Sequence, residues 1–174
     1  MVPDVTDPPP DSRKSYGKEA IETMILDSLI VPGIAANATE SIALRHHLHA
    51  HPELGYEEFR TSDLIAQKLG EYGYVVHRGL GGTGVVGSLK KGNGSRRLGL
   101  RADMDALPMD ERTGLAYAST TPGRMHACGH DGHTAALLAA ARYLASDCAF
   151  DGTLNLVFQP AEEGYGGARR MIED

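Results

Sequence analysis

A chain of 174 residues, 41% of them hydrophobic, is long enough for one domain with a real core. Its formal net charge of -6 comes with no long basic run, which leaves nucleic-acid or anionic-membrane binding without electrostatic support and keeps small polar substrates open. No apolar stretch approaches the roughly 20 residues that a membrane helix requires, and the N-terminus lacks a basic region followed by an apolar one. The sequence therefore reads as soluble and unsecreted. With only Cys128 and Cys148, at most one disulfide is possible, and Cys128 lies among histidines where a thiolate has a better use; a reducing, cytoplasmic setting is expected.

Residues 1–17 carry Pro3, Pro8, Pro9 and Pro10 among charged and small residues, the pattern of a disordered tail. The remainder, 18–174, reads as one domain. From Lys18 to about Ile30, apolar residues recur at helical spacing until Pro32 and Gly33 stop the pattern. Thr39 is placed to cap a second helix with Ile42, Leu44 and Leu48 in its apolar set, ending before Pro52. A third helix is expected over Glu57 to Tyr72, with Leu64, Ile65 and Leu69 as its stripe and Gly70 and Gly73 marking its end.

Strands follow at Tyr74 to Arg78, Val85 to Lys90 and Arg96 to Arg101. The glycine-rich GLGGTG lies between the first two and opens no helix, so it does not read as a nucleotide-binding loop. KKGNGS, with its Asn-Gly step, predicts a tight hairpin between the second and third. After an irregular loop, Thr134 to Ala145 is rich in Ala and Leu and reads as helix, and Thr153 to Phe158 as a buried strand. Helices alternating with strands predict an α/β fold, a mixed sheet flanked by helices.

The chemistry concentrates at strand ends. MHACGHDGH, from Met125 to His133, packs one thiol and three imidazoles into nine residues, and Glu162 and Glu163 follow in QPAEEG. Thiolate, neutral imidazole and carboxylate are the donors that bind zinc and its neighbours, and a further unligated carboxylate is what metal-assisted hydrolysis needs as a proton carrier. Asp103 and Asp105 fall just past the strand ending near Arg101, Cys128 and His130 in the loop before the Ala-rich helix, and the glutamates after the LNLVF strand. In open α/β sheets that carboxyl edge is where ligands bind, so three clusters distant in sequence are expected to converge there.

RHHLHAHPELGYEE, LRADMDALPM, MHACGHDGHTA and VFQPAEEG together resemble the signature blocks of the M20 metallopeptidase clan, most nearly its amidohydrolase branch of hippurate, N-acyl-amino-acid and auxin-conjugate hydrolases. The resemblance covers about Ser41 to Asp174, in order. It implies a metal-dependent amidohydrolase that cuts N-acyl amino acids into a carboxylic acid and an amino acid, with two divalent ions (Zn, Mn, Co or Ni) in a complete site. Carried over residue by residue, it makes Cys128 the ligand bridging the two ions, His130 and Glu163 further ligands, and Glu162 the general base. Asp105 resembles the acid that fixes a metal-binding group in related peptidases, while Asp103 stands where those relatives place a histidine ligand. Family members continue past the EEG block with a further histidine ligand, a lid and dimerisation domain and a last histidine. The resemblance therefore implies that this chain is the N-terminal portion of a catalytic domain lacking that lid, and that the full-length protein is a homodimer.

Other readings stay open at this stage. A dipeptidase or carboxypeptidase of the same clan, a cysteine hydrolase using Cys128 with His126 or His130 as base, and a catalytically inactive truncated domain are the alternatives. His46, His47, His49 and His51 read as solvent-facing or capping residues instead of ligands. His126 and His133 flank the motif without an assigned role, and Tyr117 and Tyr165 are only near it.

Overall fold

The computed structural model describes residues 31–174; the tail expected over 1–17 and the helix expected over 18–30 lie outside the described residues. Pro32–Asp174 forms one compact unit. In chain order its elements are α1 (Pro32–Ala35), α2 (Ala38–Ala50), α3 (Phe59–Glu71), β1 (Val75–Leu80), β2 (Gly84–Lys91), β3 (Arg97–Asp103), α4 (His130–Ser146), β4 (Gly152–Gln159) and α5 (Gly167–Glu173). None of the described helices is long and apolar enough to cross a membrane.

The expected mixed sheet is present, in the order β1-β2-β4-β3. β4 owes its central place to its side chains: Leu154, Leu156 and Phe158 are buried on one face, and Thr153, Asn155 and Val157 are half-buried on the other. It pairs antiparallel with β2, where Val85 faces Phe158, and parallel with β3, where Ala102 faces Phe158 and Asp103 faces Gln159. Directly paired residues share a face. Val85, Ala102, Leu154, Leu156 and Phe158 therefore present one apolar surface, on which Ile65 and Leu69 of α3 and Leu137, Leu138 and Ala141 of α4 complete a single core.

The hairpin expected at KKGNGS does not form, because β4 is inserted between β2 and β3. The segment instead passes across the start of β4: the Gly94 amide donates to Asp151 Oδ1 at 2.6 Å and the Thr153 amide donates to the Arg96 carbonyl at 2.9 Å. The local turn signal loses to a strand that buries alternate leucines only by gaining a neighbour on each side. GLGGTG behaves as read, joining the antiparallel pair β1 and β2, with Leu80 opposite Gly84.

Smaller corrections concern helix ends. Thr39 lies inside the first turn of α2; Asn37 precedes the helix and its side-chain amide donates to the Gly33 carbonyl at 2.9 Å, making no side-chain cap. Ile42 is 55% exposed, while Leu48 is buried and Leu44 packs against the core. α3 begins at Phe59 and is capped from upstream by Glu53, whose Oε2 accepts from the Thr61 amide and hydroxyl, both at 2.9 Å, and whose Oε1 accepts from the Arg60 amide at 3.2 Å. The helix passes through Gly70 and leaves at Gly73. Tyr74, expected to open the first strand, lies just before β1 and is buried.

The Tyr74 hydroxyl donates to the Ala141 carbonyl inside the core at 3.0 Å, and burial pushes its phenol up to about 12. Removing only that hydroxyl leaves a buried carbonyl with one partner fewer. Tyr74→Phe is expected to lower unfolding free energy by about 1 kcal/mol in a urea titration, and an unchanged midpoint would show that the bond contributes nothing.

Candidate metal centre

Parallel pairing puts the carboxyl ends of β3 and β4 at one edge of the sheet, and the start of α4 reaches the same edge. Asp103 is the last residue of β3, not a loop residue beyond it, because the ladder continues to the Asp103 to Gln159 pair. His130 is likewise the first residue of α4 and not part of the preceding loop. Gly129, at φ +86°, makes the turn between Cys128 and the helix, a conformation that glycine adopts without steric cost. Behind the glutamates, a Cβ on Gly167 would lie 1.8 Å from the Pro160 carbonyl oxygen, so only glycine lets α5 close against the loop that carries them.

The structure brings Cys128, His130 and Glu163 together, with one sulfur, one ring nitrogen and one carboxylate oxygen all within 4.8 Å of one another. His130 Nε2 lies 3.8 Å from Glu163 Oε1, 3.8 Å from Glu162 Oε2 and 3.6 Å from Asp103 Oδ1. Its other nitrogen, Nδ1, donates to the Asp105 carbonyl at 2.9 Å and to Asp105 Oδ1 at 3.2 Å. Asp105 Oδ2 accepts from the Glu163 amide at 3.0 Å. One buried carboxylate therefore holds both a ring and a backbone that the sequence places 25 and 58 residues away. A second grouping joins Asp103, His130 and His133, in which His133 Nδ1 donates to Asp103 Oδ1 at 2.6 Å and Arg101 pairs with Asp103 Oδ2 at 3.3 Å.

The donor set suits a divalent cation. Glu163 Oε1 is buried and has no hydrogen-bond partner, an arrangement that costs free energy unless a positive group faces it. Sulfur, imidazole and carboxylate are the ligand types of zinc and its neighbours, and a Nδ1 tied to a carboxylate is how a ligating histidine is oriented. Glu162, adjacent in sequence, keeps 41% of its side chain open to solvent, so its carboxylate can meet a water.

Charge follows from the same contacts. Burial works to raise the Asp105 carboxyl, but hydrogen bonds from His130 and from the Glu163 and Glu162 amides outweigh it and hold the group below its ordinary value. Burial works against protonating His130, yet the Asp105 hydrogen bond and the charges of Asp103 and Asp105 raise it overall. The Cys128 thiol is raised by the Glu163 carboxyl first, then by burial and by the charges of Glu163, Glu162 and Asp103. Anionic neighbours disfavour a free thiolate, so these surroundings do not make a nucleophile of Cys128; they are those of a sulfur whose negative form needs a cation.

Around this cluster the histidines divide. His49, expected at the surface, is buried: its Nδ1 lies 2.8 Å from Asp131 Oδ2 and its Nε2 3.1 Å from Glu111 Oε1, so it ties α2 to the start of α4 and to the long loop. Arg45 Nε adds a bond to Asp131 at 3.2 Å. His46 stacks on Tyr117 at 3.7 Å between ring centroids, which gives Tyr117 a packing role. His51 Nδ1 donates to the His47 carbonyl at 2.8 Å. Tyr165 is exposed, and its carbonyl accepts from the Tyr56 hydroxyl at 2.8 Å. Sequence reasoning missed Glu58, Glu111 and Asp131, acids that look solvated; the available signal was that Glu58 and Asp131 lie within the motif blocks and Glu111 just past one.

Residues 99–174 match the family Peptidase family M20/M25/M40. Over that stretch the chain resembles members of this family. It is 58% identical over 145 residues to the hippurate hydrolase of Campylobacter jejuni, an overlap of 83% of this chain and 38% of that protein. It is 48% identical over 134 residues to the N-acetyl-L-cysteine deacetylase of Bacillus subtilis, covering 76% of this chain and 32% of that one. Among solved structures it resembles the YXEP protein of Bacillus subtilis, described as a dinuclear metal-binding M20 peptidase, at TM-score 0.75 and 40% identity, over 80% of this chain and 40% of that one. The chain thus spans well under half the length of the curated relatives it matches.

His126, in the same motif as Cys128 and His130, is buried, and burial pushes it down to about 4 from 6.5. Its imidazole stays neutral in the fold where the unfolded chain takes up a proton, so stability is fully present above pH 6.5 and declines as pH falls toward 4. In the metal-free chain, His126→Leu is expected to flatten the pH dependence of the urea midpoint across that window; an identical slope would contradict the burial account.

Proposed function

We propose that the whole protein hydrolyses the amide bond of N-acyl amino acids, giving a carboxylic acid and a free amino acid, with Cys128, His130 and Glu163 holding a divalent cation and Glu162 acting as the general base. The observation that carries this reading is the convergence of three donor atoms within 4.8 Å, at a glutamate, Glu163, whose buried Oε1 has no hydrogen-bond partner. The names of the hydrolase and deacetylase relatives support an amide substrate carrying an acyl group. Sulfur and imidazole donors admit zinc, cobalt, nickel or manganese.

Such a cation supplies Lewis acidity, polarising the amide carbonyl and acidifying a water beside it. The chain's own residues do the rest. Glu162, half open to solvent at the mouth, takes the proton as the water oxygen bonds to the acyl carbon. The same carboxyl then passes that proton to the leaving nitrogen as the carbon–nitrogen bond breaks. Asp105 keeps the proton of His130 on Nδ1, which leaves the Nε2 lone pair directed into the cluster. His133, held by Asp103 and largely exposed, stands beside this pair. Both cysteines are free thiols, in keeping with the reducing cytoplasmic setting that we infer for the protein.

The amide in Glu162→Gln matches the carboxylate in shape but cannot accept the proton. Hydrolysis of hippurate by the whole protein is expected to fall by about 100-fold or more, while bound metal measured by elemental analysis stays at the wild-type ratio. Retained turnover would remove Glu162 from the mechanism. Cys128→Ala should act the other way, lowering metal content first; an unaltered metal-to-protein ratio in that variant would remove the thiol from the site.

A further inference from the structure

The segment Glu53 to Glu58, part of the HPELGYEE block, runs beneath both halves of the metal centre. The Ala106 amide, next to Asp105, donates to the Glu53 carbonyl at 2.8 Å. At the other end Glu58, fully buried, reaches the loop that carries the glutamate pair: its Oε1 accepts from the Ala161 amide at 2.8 Å, and its Oε2 accepts from the Thr83 hydroxyl at 2.6 Å. Ala161 is itself fully buried and sits at φ +52°, a left-handed conformation that an alanine adopts only when its surroundings enforce it. Its carbonyl accepts from the Gly167 amide at 3.1 Å, so the residue is held from both sides. Glu162 and Glu163 follow immediately.

We propose that Glu58 is a positioning residue for the metal centre: its buried carboxylate holds Ala161 in the left-handed conformation that turns the chain and aims Glu162 and Glu163 at Cys128 and His130. The inference rests on Glu163 being a metal ligand. A buried acid at this position has a further reason to exist only if it organises something, since burial raises its carboxyl and the Thr83 and Ala161 donors must offset that cost. Thr83 extends the link to the β1–β2 turn, so the turn that GLGGTG forms is the outer brace of the base loop.

The test is a cobalt(II) titration of the chain, read by the thiolate-to-cobalt charge-transfer band that reports Cys128 ligation. Wild type is expected to develop the band; its absence overturns both the metal reading and this proposal. Glu58→Ala should bind cobalt roughly tenfold more weakly or worse, because the Ala161 amide loses its buried acceptor. Glu58→Gln keeps an acceptor oxygen for that amide, and the Thr83 hydroxyl can turn to accept from the new amide group, so its affinity should stay near wild type. Adding Ala161→Gly to Glu58→Ala should recover affinity, because glycine takes a positive φ without being held. A merely structural Glu58 predicts no such recovery. If Glu58→Ala does not fold, Thr83→Val removes one donor without emptying the space, and a severalfold loss of cobalt affinity is expected. A normal charge-transfer band together with wild-type affinity in Glu58→Ala, or in Thr83→Val where the former is unfolded, overturns the role of Glu58 and leaves the metal reading standing.

Discussion

The carboxylate of Asp105 is the constraint on which the site depends. It is 1% exposed, and each of its oxygens is committed: one to His130 at the start of α4, the other to the Glu163 amide past the end of β4. Because hydrogen bonds to the ionised form outweigh burial, the group stays charged, and a buried charge in contact with two partners fixes geometry more strongly than a neutral amide would.

The rest of the molecule can be understood as support for that contact. The sheet brings Asp103 and Gln159 to one edge through the parallel β3 and β4 pair, and the core of α3 and α4 residues fixes the helices over it. Buried acids then tie the surrounding segments together: Glu53 caps α3, Glu58 holds Ala161, and Asp131 meets His49 and Arg45. The mouth collects Asp103, Glu162 and Glu163 near one imidazole and one thiol; Glu163, Glu162 and Asp103 raise Cys128, while Asp105 and Asp103 raise His130. A cation is the economical answer to that field, since it satisfies the buried Glu163 oxygen and stabilises the thiolate at once.

Much of this was legible in the sequence where one local pattern sufficed. Alternating leucines gave β4, the Ala-rich run gave α4, and the thiol, imidazoles and paired glutamates suggested a metal site by donor type, while the choice of Cys128, His130 and Glu163 within it came from the family resemblance. What escaped was set by partners far along the chain. The Asn-Gly turn signal near Asn93 could not reveal that β4, some 60 residues later, would take the place beside β2. His49 looked like a surface residue among four histidines because Asp131 and Glu111, the groups that bury it, are 82 and 62 positions away. The first turn of α4 was placed too late since His130 and Asp131 have weak helix preference and earn their place through Asp105 and His49. Glu58 resembled an ordinary acid at a helix start, and only the fold showed Thr83 and Ala161 closing over it.

X-ray absorption at the zinc edge of the zinc-loaded chain tests the central claim most directly, because it reads the atoms around the ion without relying on turnover. The account requires one sulfur at about 2.3 Å together with lighter nitrogen and oxygen neighbours at about 2.0–2.2 Å, with the sulfur shell lost in Cys128→Ala. A shell of light atoms alone, or a sulfur contribution that persists without Cys128, would contradict it.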